Sequence, residues 1–254
     1  MSTCKRIAAI ALLVLGMAPS VQAGDQLYLR WDSCYGDGGV YNRTFACNTN
    51  AGTDVLVASF RLDHTMAMAA SFSADIYVVP IQFETLPSWW QFVRPGTCRQ
   101  SSLDVTFAAP SNATACLDPW SGNLSVAAFD YIGSSGQGAI KTVEGVTAGS
   151  EFTLNAGQEY FAIQVRIDHA RTINPTACGG CATPVCIAFR HATIGVTGAF
   201  AVDIYGVETP GHDWNVTWQP GGVTTVDPFD GTVYCQAVTP ARTPTWGAIK
   251  SLYR

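Results

Sequence analysis

Short runs of alternating apolar and polar residues, divided by turn-forming residues, fill most of the chain. The clearest is 159–169, where Phe161, Ile163, Val165 and Ile167 alternate with polar residues. A period of two puts such residues on one face, so this run predicts a strand with one buried and one solvated face. Segments rich in Val, Ile, Phe, Tyr and Thr predict further strands near 27–31, 54–62, 74–82, 102–108, 124–131, 138–146, 185–196 and 200–207.

These segments predict an all-β fold, because Gly, Asn, Pro and Ser clusters separate them and no amphipathic helical pattern competes. Their spacing is typical of an antiparallel β-sandwich, immunoglobulin-like or jelly-roll-like. A sandwich of this length forms one domain, which we place at 24–240. The C-terminal tail, 241–254, predicts a short helical turn that Thr245 caps and in which Trp246 lies on the apolar face.

An internal similarity has two interpretations. Segment 50–64 resembles 155–169: both begin Asn-Ala-Gly and end with Arg, an aliphatic residue and Asp-His. Phe72–Val79 similarly resembles Phe200–Val207. One interpretation is a sandwich built from a duplicated half. The other is that turn-and-strand patterns repeat without common origin.

The N-terminus has the pattern of a secretory signal. A basic pair precedes the apolar run 7–15, and small residues follow up to Ala23. We therefore expect cleavage before Gly24, with 1–23 removed. The apolar run is shorter than the roughly 20 residues that cross a bilayer, so we expect no transmembrane span. The predicted location is secreted, periplasmic or at the cell surface.

The cysteine count supports export. Of nine cysteines, Cys4 leaves with the signal, and an even number remains. An oxidising compartment allows these to form a disulfide framework. The eight are Cys34, Cys47, Cys98, Cys116, Cys178, Cys181, Cys186 and Cys235.

The spacing of the cysteines suggests a pairing. Cys34–Cys47 and Cys98–Cys116 each bracket a turn, which predicts two short-loop bonds. Cys235 must pair over a long range. We favour Cys186 as its partner, leaving Cys178–Cys181 as a tight ring.

Segment 178–186 also has two alternative interpretations. A redox C-x-x-C motif works at a helix N-terminus, but Pro184 and a β-rich run follow here. A zinc site would need a fourth ligand, for which His169 or His191 is the candidate. Structural disulfides are the preferred interpretation.

Charge argues against a nucleic-acid partner. After removal of the signal, 12 basic residues face 19 acidic ones, a net charge of −7. The basic residues form no stripe along which a phosphate backbone would bind.

Two kinds of residue suggest a site. Trp89, Trp90 and Trp218 could form an exposed ligand platform, although large rings also serve core packing. The Asp-His pairs at 63–64 and 168–169 resemble catalytic or metal-binding pairs. Neighbours in a strand point to opposite faces, however, so we interpret both histidines as satisfied core residues at strand ends.

Four segments carry a resemblance to a known group. They are Leu86–Phe92 (LPSWWQF), Gly96–Leu103 (GTCRQSSL), Cys178–Cys186 (CGGCATPVC) and Thr245–Arg254 (TWGAIKSLYR). The combination resembles a group of uncharacterised exported bacterial proteins. The resemblance implies a bacterial source and export, and it implies no activity.

The sequence contains no metalloprotease, nucleophile-elbow, phosphate-loop or EF-hand motif. We therefore assign no catalytic, cofactor or metal residues and expect no cofactor. The predicted function is a non-catalytic exported surface, adhesion or ligand-binding module, with carbohydrate or another exported protein as partner. One alternative is an extracellular polysaccharide-acting hydrolase with carboxylates from distant positions. A second is a metal or redox role for Cys178–Cys186.

Overall fold

Two β-sheets make up nearly all of the computed structural model, which describes residues 24–81, 85–92, 95–133, 136–206, 213–227 and 230–237. The described residues contain fifteen strands and one 3₁₀ turn, Ser88–Trp90. In chain order the strands are β1 (Gln26–Trp31), β2 (Asn42–Arg43), β3 (Thr53–Arg61), β4 (Met66–Pro80), β5 (Leu103–Thr106), β6 (Cys116–Leu117), β7 (Leu124–Gly133), β8 (Gly138–Val146), β9 (Phe152–Leu154), β10 (Glu159–Asp168), β11 (Val185–Val196), β12 (Val202–Tyr205), β13 (Asn215–Trp218), β14 (Gly222–Val226) and β15 (Val233–Ala237).

The strands pair mainly antiparallel. The five-stranded sheet has the order β1-β3-β10-β5, with β6 also on β10. The eight-stranded sheet has the order β2-β13-β11-β4-β8-β7, with β12 on β11 and β9 on β4. Strands β14 and β15 form a separate hairpin. The two-residue pairs β10–β6 and β13–β2 are parallel.

One core lies between the two larger sheets. Leu29 and Phe60 of the five-stranded sheet belong to the same buried cluster as Phe72 and Phe189 of the eight-stranded sheet. The rings of Phe60 and Phe72 stack across the gap with centroids 5.0 Å apart. Two sheets that each bury one face against the other form a β-sandwich, which confirms the predicted fold class.

The outer face of the five-stranded sheet is covered over part of its length: Gln164 is buried but Arg166 is exposed, so the solvated face predicted for 159–169 is confirmed only in part. Cys34 and Cys116, joined by a disulfide, lie with Val57 and Phe161 in a second buried cluster outside the sheet. A register shift between Phe161 and Ile163 places Ile163 in the central core and Phe161 in this second cluster. The predicted common face of Phe161 and Ile163 is therefore wrong.

All eight cysteines predicted to be oxidised form disulfides. The bonds are Cys34–Cys116, Cys47–Cys181, Cys98–Cys178 and Cys186–Cys235. The favoured long-range bond to Cys235 is present.

The three other predicted pairs, Cys34–Cys47, Cys98–Cys116 and Cys178–Cys181, are wrong. After Cys34 the chain crosses to the eight-stranded sheet, where β2 pairs with β13, and this carries Cys47 to Cys181. Strand β5 lies between Cys98 and Cys116 and pairs with β10. The chain therefore does not turn back between these two cysteines.

The internal similarity maps onto neighbouring strands. Strands β3 and β10, which hold the first match, pair antiparallel, and β4 and β11 also pair antiparallel. The second match falls on β12 rather than on β11. Duplication therefore stays a prediction.

Two predictions lie outside the described residues: the signal at 1–23 and the C-terminal tail, 241–254, with its helical turn. Within the part of the chain that the structure describes, no helix is long and apolar enough to cross a membrane.

Candidate functional site

The predicted tryptophan platform lies in the interior. Trp89, Trp90 and Trp218 are each 0% exposed, and the Trp218 ring centroid is 4.6 Å from that of Trp89 and 5.2 Å from that of Trp90. The adjacent Trp89 and Trp90 occupy a 3₁₀ turn, so the strand rule that would separate their side chains does not apply. The three rings do meet, but as a buried cluster, and the exposed platform is wrong.

The two Asp-His pairs lie at opposite ends of the five-stranded sheet, because β3 and β10 run antiparallel. His169 is buried and hydrogen-bonds through Nε2 to Asp54 Oδ2, but its Nδ1 has no partner among the described residues, so the satisfied core histidine is confirmed only in part. His64 is exposed, and its Nδ1 lies 2.7 Å from Asp63 Oδ1. Asp63 and His64 lie in a turn after β3, so both the core interpretation and the opposite-face argument are wrong for this pair.

A small cluster of metal-ligating groups surrounds His64. Asp25, Asp63 and His64 can each offer one ligand atom to a common point. The hydrogen bond to Asp63 raises the pKa of His64, and partial burial raises the pKa of Asp25. The cavity beside Asp25 measures about 20 Å³, room for one water molecule. Asp63 and His64 are exposed, so we assign no metal here.

The Cys178–Cys186 segment offers no thiolate. Its three cysteines are buried and are bonded to Cys47, Cys98 and Cys235 in three separate parts of the chain. A disulfide sulfur lacks the charge that makes thiolate a zinc ligand or a nucleophile. The segment therefore acts as a covalent junction.

One carboxyl group with a strongly raised pKa lies in the interior. Glu144 of β8 faces the interior and is 1% exposed. Burial raises its pKa to about 10, and the charge of Asp118 adds to the shift. A perturbed carboxyl beside a second carboxyl resembles a glycosidase pair. Glu144 lines neither the cavity beside Asp25 nor the clefts at Arg171 and Arg190, so none of these gives a substrate access to its carboxyl.

The outer face of the eight-stranded sheet carries a row of polar and aromatic side chains. The register aligns Tyr205 of β12 with His191 of β11, then Asp75 of β4, Lys141 of β8 and Asp130 of β7. None of the five is buried, and Tyr205 is 50% exposed. We call these five residues the outer row. Neighbouring strands lie about 4.8 Å apart, so the outer row extends roughly 19 Å.

Contacts along the outer row fix its side chains. The rings of His191 and Tyr205 stack with centroids 4.7 Å apart. Lys141 Nζ donates to Asp75 Oδ1 at 3.0 Å, and this bond raises the pKa of Lys141. His191 Nε2 lies 3.1 Å from Asp203 Oδ1, in the next position of β12 on the same face. The ordered row therefore presents an aromatic ring and both hydrogen-bond donors and acceptors.

Two hydrogen bonds favour the ionised form of Asp203. Thr193 Oγ1 donates to Asp203 Oδ1 at 2.6 Å, and this bond, with that of His191, lowers the pKa of Asp203. A cleft of about 200 Å³ adjoins the outer row beside Tyr77 and Arg190. Arg190 Nη1 donates to Gly206 O at 2.8 Å, and its guanidinium lies 5.5 Å from the Tyr205 ring centroid. Fixed charges of both signs thus lie close to the ring.

Sequence reasoning did not identify the outer row. Its members come from five strands that are separated along the chain, so no local motif joins them. A partial signal exists within β8, where Lys141 and Val143 alternate with buried Thr142 and Glu144. That alternation marks an outward face but does not say which residues of other strands lie beside it.

Comparison with known proteins gives little. No protein-family model matches the chain, and no curated protein matches it. Among solved structures, it is similar to a mutant of the carbohydrate-binding module CBM3b from the cellulosomal cellobiohydrolase 9A of Clostridium thermocellum. The identity is 10%, the TM-score is 0.28, and the match covers 73% of this chain and 100% of the other. A TM-score of 0.28 is too low to transfer a fold or a function.

Proposed function

We propose that this chain is an exported, non-catalytic carbohydrate-binding module whose ligand lies along the outer row. The observation that supports this most directly is the alignment of Tyr205, His191, Asp75, Lys141 and Asp130 on one open sheet face. A sugar chain presents hydroxyl groups at its edges and apolar C–H faces. The carboxylates and cationic donors of the outer row can hydrogen-bond to the hydroxyl groups, and the exposed ring of Tyr205 can pack against a C–H face.

The charge of the face favours a neutral ligand. Asp75 and Asp130 are balanced in part by Lys141, and Asp203 is hydrogen-bonded to His191 and Thr193. A face of mixed sign produces no strong potential of the kind that attracts nucleic acid or highly charged polymers. A neutral polysaccharide needs no such potential.

Export is supported by the disulfides. Four bonds join the eight described cysteines, and such bonds persist in oxidising compartments. We accordingly place the protein in the periplasm, in the medium or at the cell surface, after removal of 1–23. N-terminal sequencing of exported material should read Gly-Asp-Gln-Leu.

The non-catalytic part of the proposal is supported by where the two described carboxyl groups with a raised pKa lie, since a glycosidase needs such a group as its general acid. Glu144 is buried, and the cavity beside Asp25 is too small for a sugar ring. Incubating soluble polysaccharides with the mature protein should release no reducing ends. Sustained release would favour the hydrolase.

A binding experiment tests the proposal. The mature protein is screened on a glycan array and then by affinity electrophoresis in gels that contain neutral β-glucan, xylan or mannan. Retardation by at least one of these is expected. Tyr205→Ala should weaken binding about three- to tenfold, since aromatic contacts contribute roughly 0.5–1.5 kcal/mol beyond area burial.

Phe200→Ala is the matched control. Phe200 is 94% exposed and lies outside the outer row, so its loss should leave binding unchanged. Equal weakening by both variants, or no retardation in any neutral gel, would contradict the proposal.

A further inference from the structure

A second cleft lies at the other sheet's edge, away from the outer row. It is formed by the loop 97–102 and by Ala170 and Arg171, and it encloses about 360 Å³. The disulfide Cys98–Cys178 anchors the loop, and Arg171 Nη1 donates to Cys98 O at 2.7 Å. Two arginines, Arg99 and Arg171, thus line one cleft in a protein of net negative charge.

Arg99 has an unusual environment for a charged side chain. It is 1% exposed, and its guanidinium lies 3.5 Å from the ring centroid of Trp89 and 5.1 Å from that of Phe92. These aromatic contacts hold the guanidinium in place and favour its positive charge. Burial nevertheless lowers the pKa of Arg99 to about 9, with the charge of Asp168 opposing the shift.

Only part of the Arg99 guanidinium is hydrogen-bonded. Nη1 donates to Trp89 O at 3.1 Å, whereas Nε and Nη2 have no acceptor among the described residues. No carboxylate of those residues forms an ion pair with Arg99 or Arg171. Burying a cation whose N–H donors lack acceptors destabilises the fold, unless an anion pairs with the cation and accepts those hydrogen bonds.

The two unused nitrogens define the shape of that anion. Nε–H and Nη2–H lie on the same edge of a guanidinium and point in parallel. A carboxylate accepts both bonds side-on, the bidentate geometry that makes arginine selective for carboxylates. The rest of the cleft is polar, with Gln100, Ser101 and Ser102 in its wall. Hydroxyl and amide groups suit a ligand that carries hydroxyl groups beside its carboxylate.

We propose that this cleft binds a sugar acid, a uronate, whose carboxylate pairs with the Nε–Nη2 edge of Arg99 while Arg171 adds a second positive charge. The site is separate from the outer row and does not depend on the function proposed for it. Nε and Nη2 of Arg99 are both buried, so the loop 97–102 has to move when the carboxylate enters. Because the guanidinium lies on Trp89, occupancy should change tryptophan emission.

The test is a fluorescence and calorimetric titration of the mature, disulfide-intact protein with glucuronate. Glucose, which lacks the carboxylate, and acetate, which lacks the hydroxyl groups, are the comparison ligands. Glucuronate should bind saturably and at least tenfold more tightly than either. Equal binding of acetate would overturn the sugar assignment, and equal binding of glucose, or no binding of glucuronate, would overturn the site.

Variants assign the effect to its residues. Arg99→Lys keeps the charge but loses the bidentate edge. It should lower the affinity for glucuronate about tenfold or more, as expected for loss of a charge-assisted hydrogen bond. Arg171→Gln should lower the affinity for glucuronate about threefold. Arg166→Gln removes an exposed arginine outside the cleft and is the matched control.

Folding of each variant is checked by thermal unfolding. If Arg99→Lys does not fold, the glucuronate affinity of Arg171→Gln is the test instead. Unchanged affinity in the folded Arg99→Lys variant, or in Arg171→Gln when Arg99→Lys does not fold, would overturn the proposal. Tyr205→Ala should leave glucuronate binding unchanged, which keeps failure here distinct from failure at the outer row.

Discussion

The buried carboxyl of Glu144 should make the stability of this protein depend on pH in an uncommon direction. Both carboxyl oxygens lack hydrogen-bond partners among the described residues, and the folded-state pKa of about 10 lies far above the ordinary 4.5. Between these values the folded chain holds a proton that the unfolded chain has lost. The contribution of Glu144 to the free energy of unfolding is therefore fully present below pH 4.5 and is lost as the pH rises toward 10.

The magnitude follows from the span of pH. Each pH unit in this window lowers the free energy of unfolding by about 1.4 kcal/mol, so at pH 7.5 the cumulative loss is about 4 kcal/mol. Glu144→Gln has the shape of the protonated acid and never ionises. We expect the variant to equal the parent near pH 4.5 and to exceed its stability by about 4 kcal/mol at pH 7.5. At about 2–4 °C per kcal/mol, its Tm should be higher by roughly 10 °C.

The assay is urea unfolding of both proteins at four pH values between 4.5 and 9, with the disulfides intact. Glu151→Gln is the control of opposite sign. Glu151 is partly exposed, and hydrogen bonds from its own backbone N–H and that of Gly149 lower its pKa. Its contribution is present above the unfolded pKa and is lost on acidification. A stability difference between Glu144→Gln and the parent that stays constant with pH would refute the reasoning.

Three further predictions test the fold. Mapping of unreduced peptides should give only Cys34–Cys116, Cys47–Cys181, Cys98–Cys178 and Cys186–Cys235; a Cys34–Cys47 peptide would contradict the described pairing. Gly138→Ala should destabilise the protein by about 1–3 kcal/mol through overpacking, because the added alanine Cβ would lie 2.0 Å from the Tyr131 hydroxyl oxygen. Gly145→Ala in the same strand meets atoms only at 3.5 Å or beyond and should leave the Tm unchanged.

Strand positions could be predicted from the sequence to a large extent. All nine predicted segments contain or overlap a strand of the structure, because alternation and β-branched composition are local properties. Strand β13 was missed because its polar–apolar alternation, Asn215–Trp218, lasts only four residues, and the burial of all four cannot be seen in the sequence. The hairpin of β14 and β15 was not predicted.

Contacts between distant segments could not be predicted. The partner of Cys47 depends on β2 joining the eight-stranded sheet, which only the folded chain shows. Trp89 and Trp90 enter the core together because they lie in a 3₁₀ turn, which their strand-like neighbourhood in the sequence did not indicate. The outer row needs the register of four strand pairs, and a one-residue slip in any of them would remove a member from the face.

The arrangement of the disulfides determines how a protease would divide this molecule. Cys34–Cys116, Cys47–Cys181 and Cys98–Cys178 overlap, so any single cut between residues 34 and 181 leaves both products covalently joined. Cys186–Cys235 does the same for a cut between those two residues. No bond spans the segment Ala182–Val185. One cut there would yield a two-chain protein, held together by the pairing of β4 with β11, whose halves part on unfolding without any reductant.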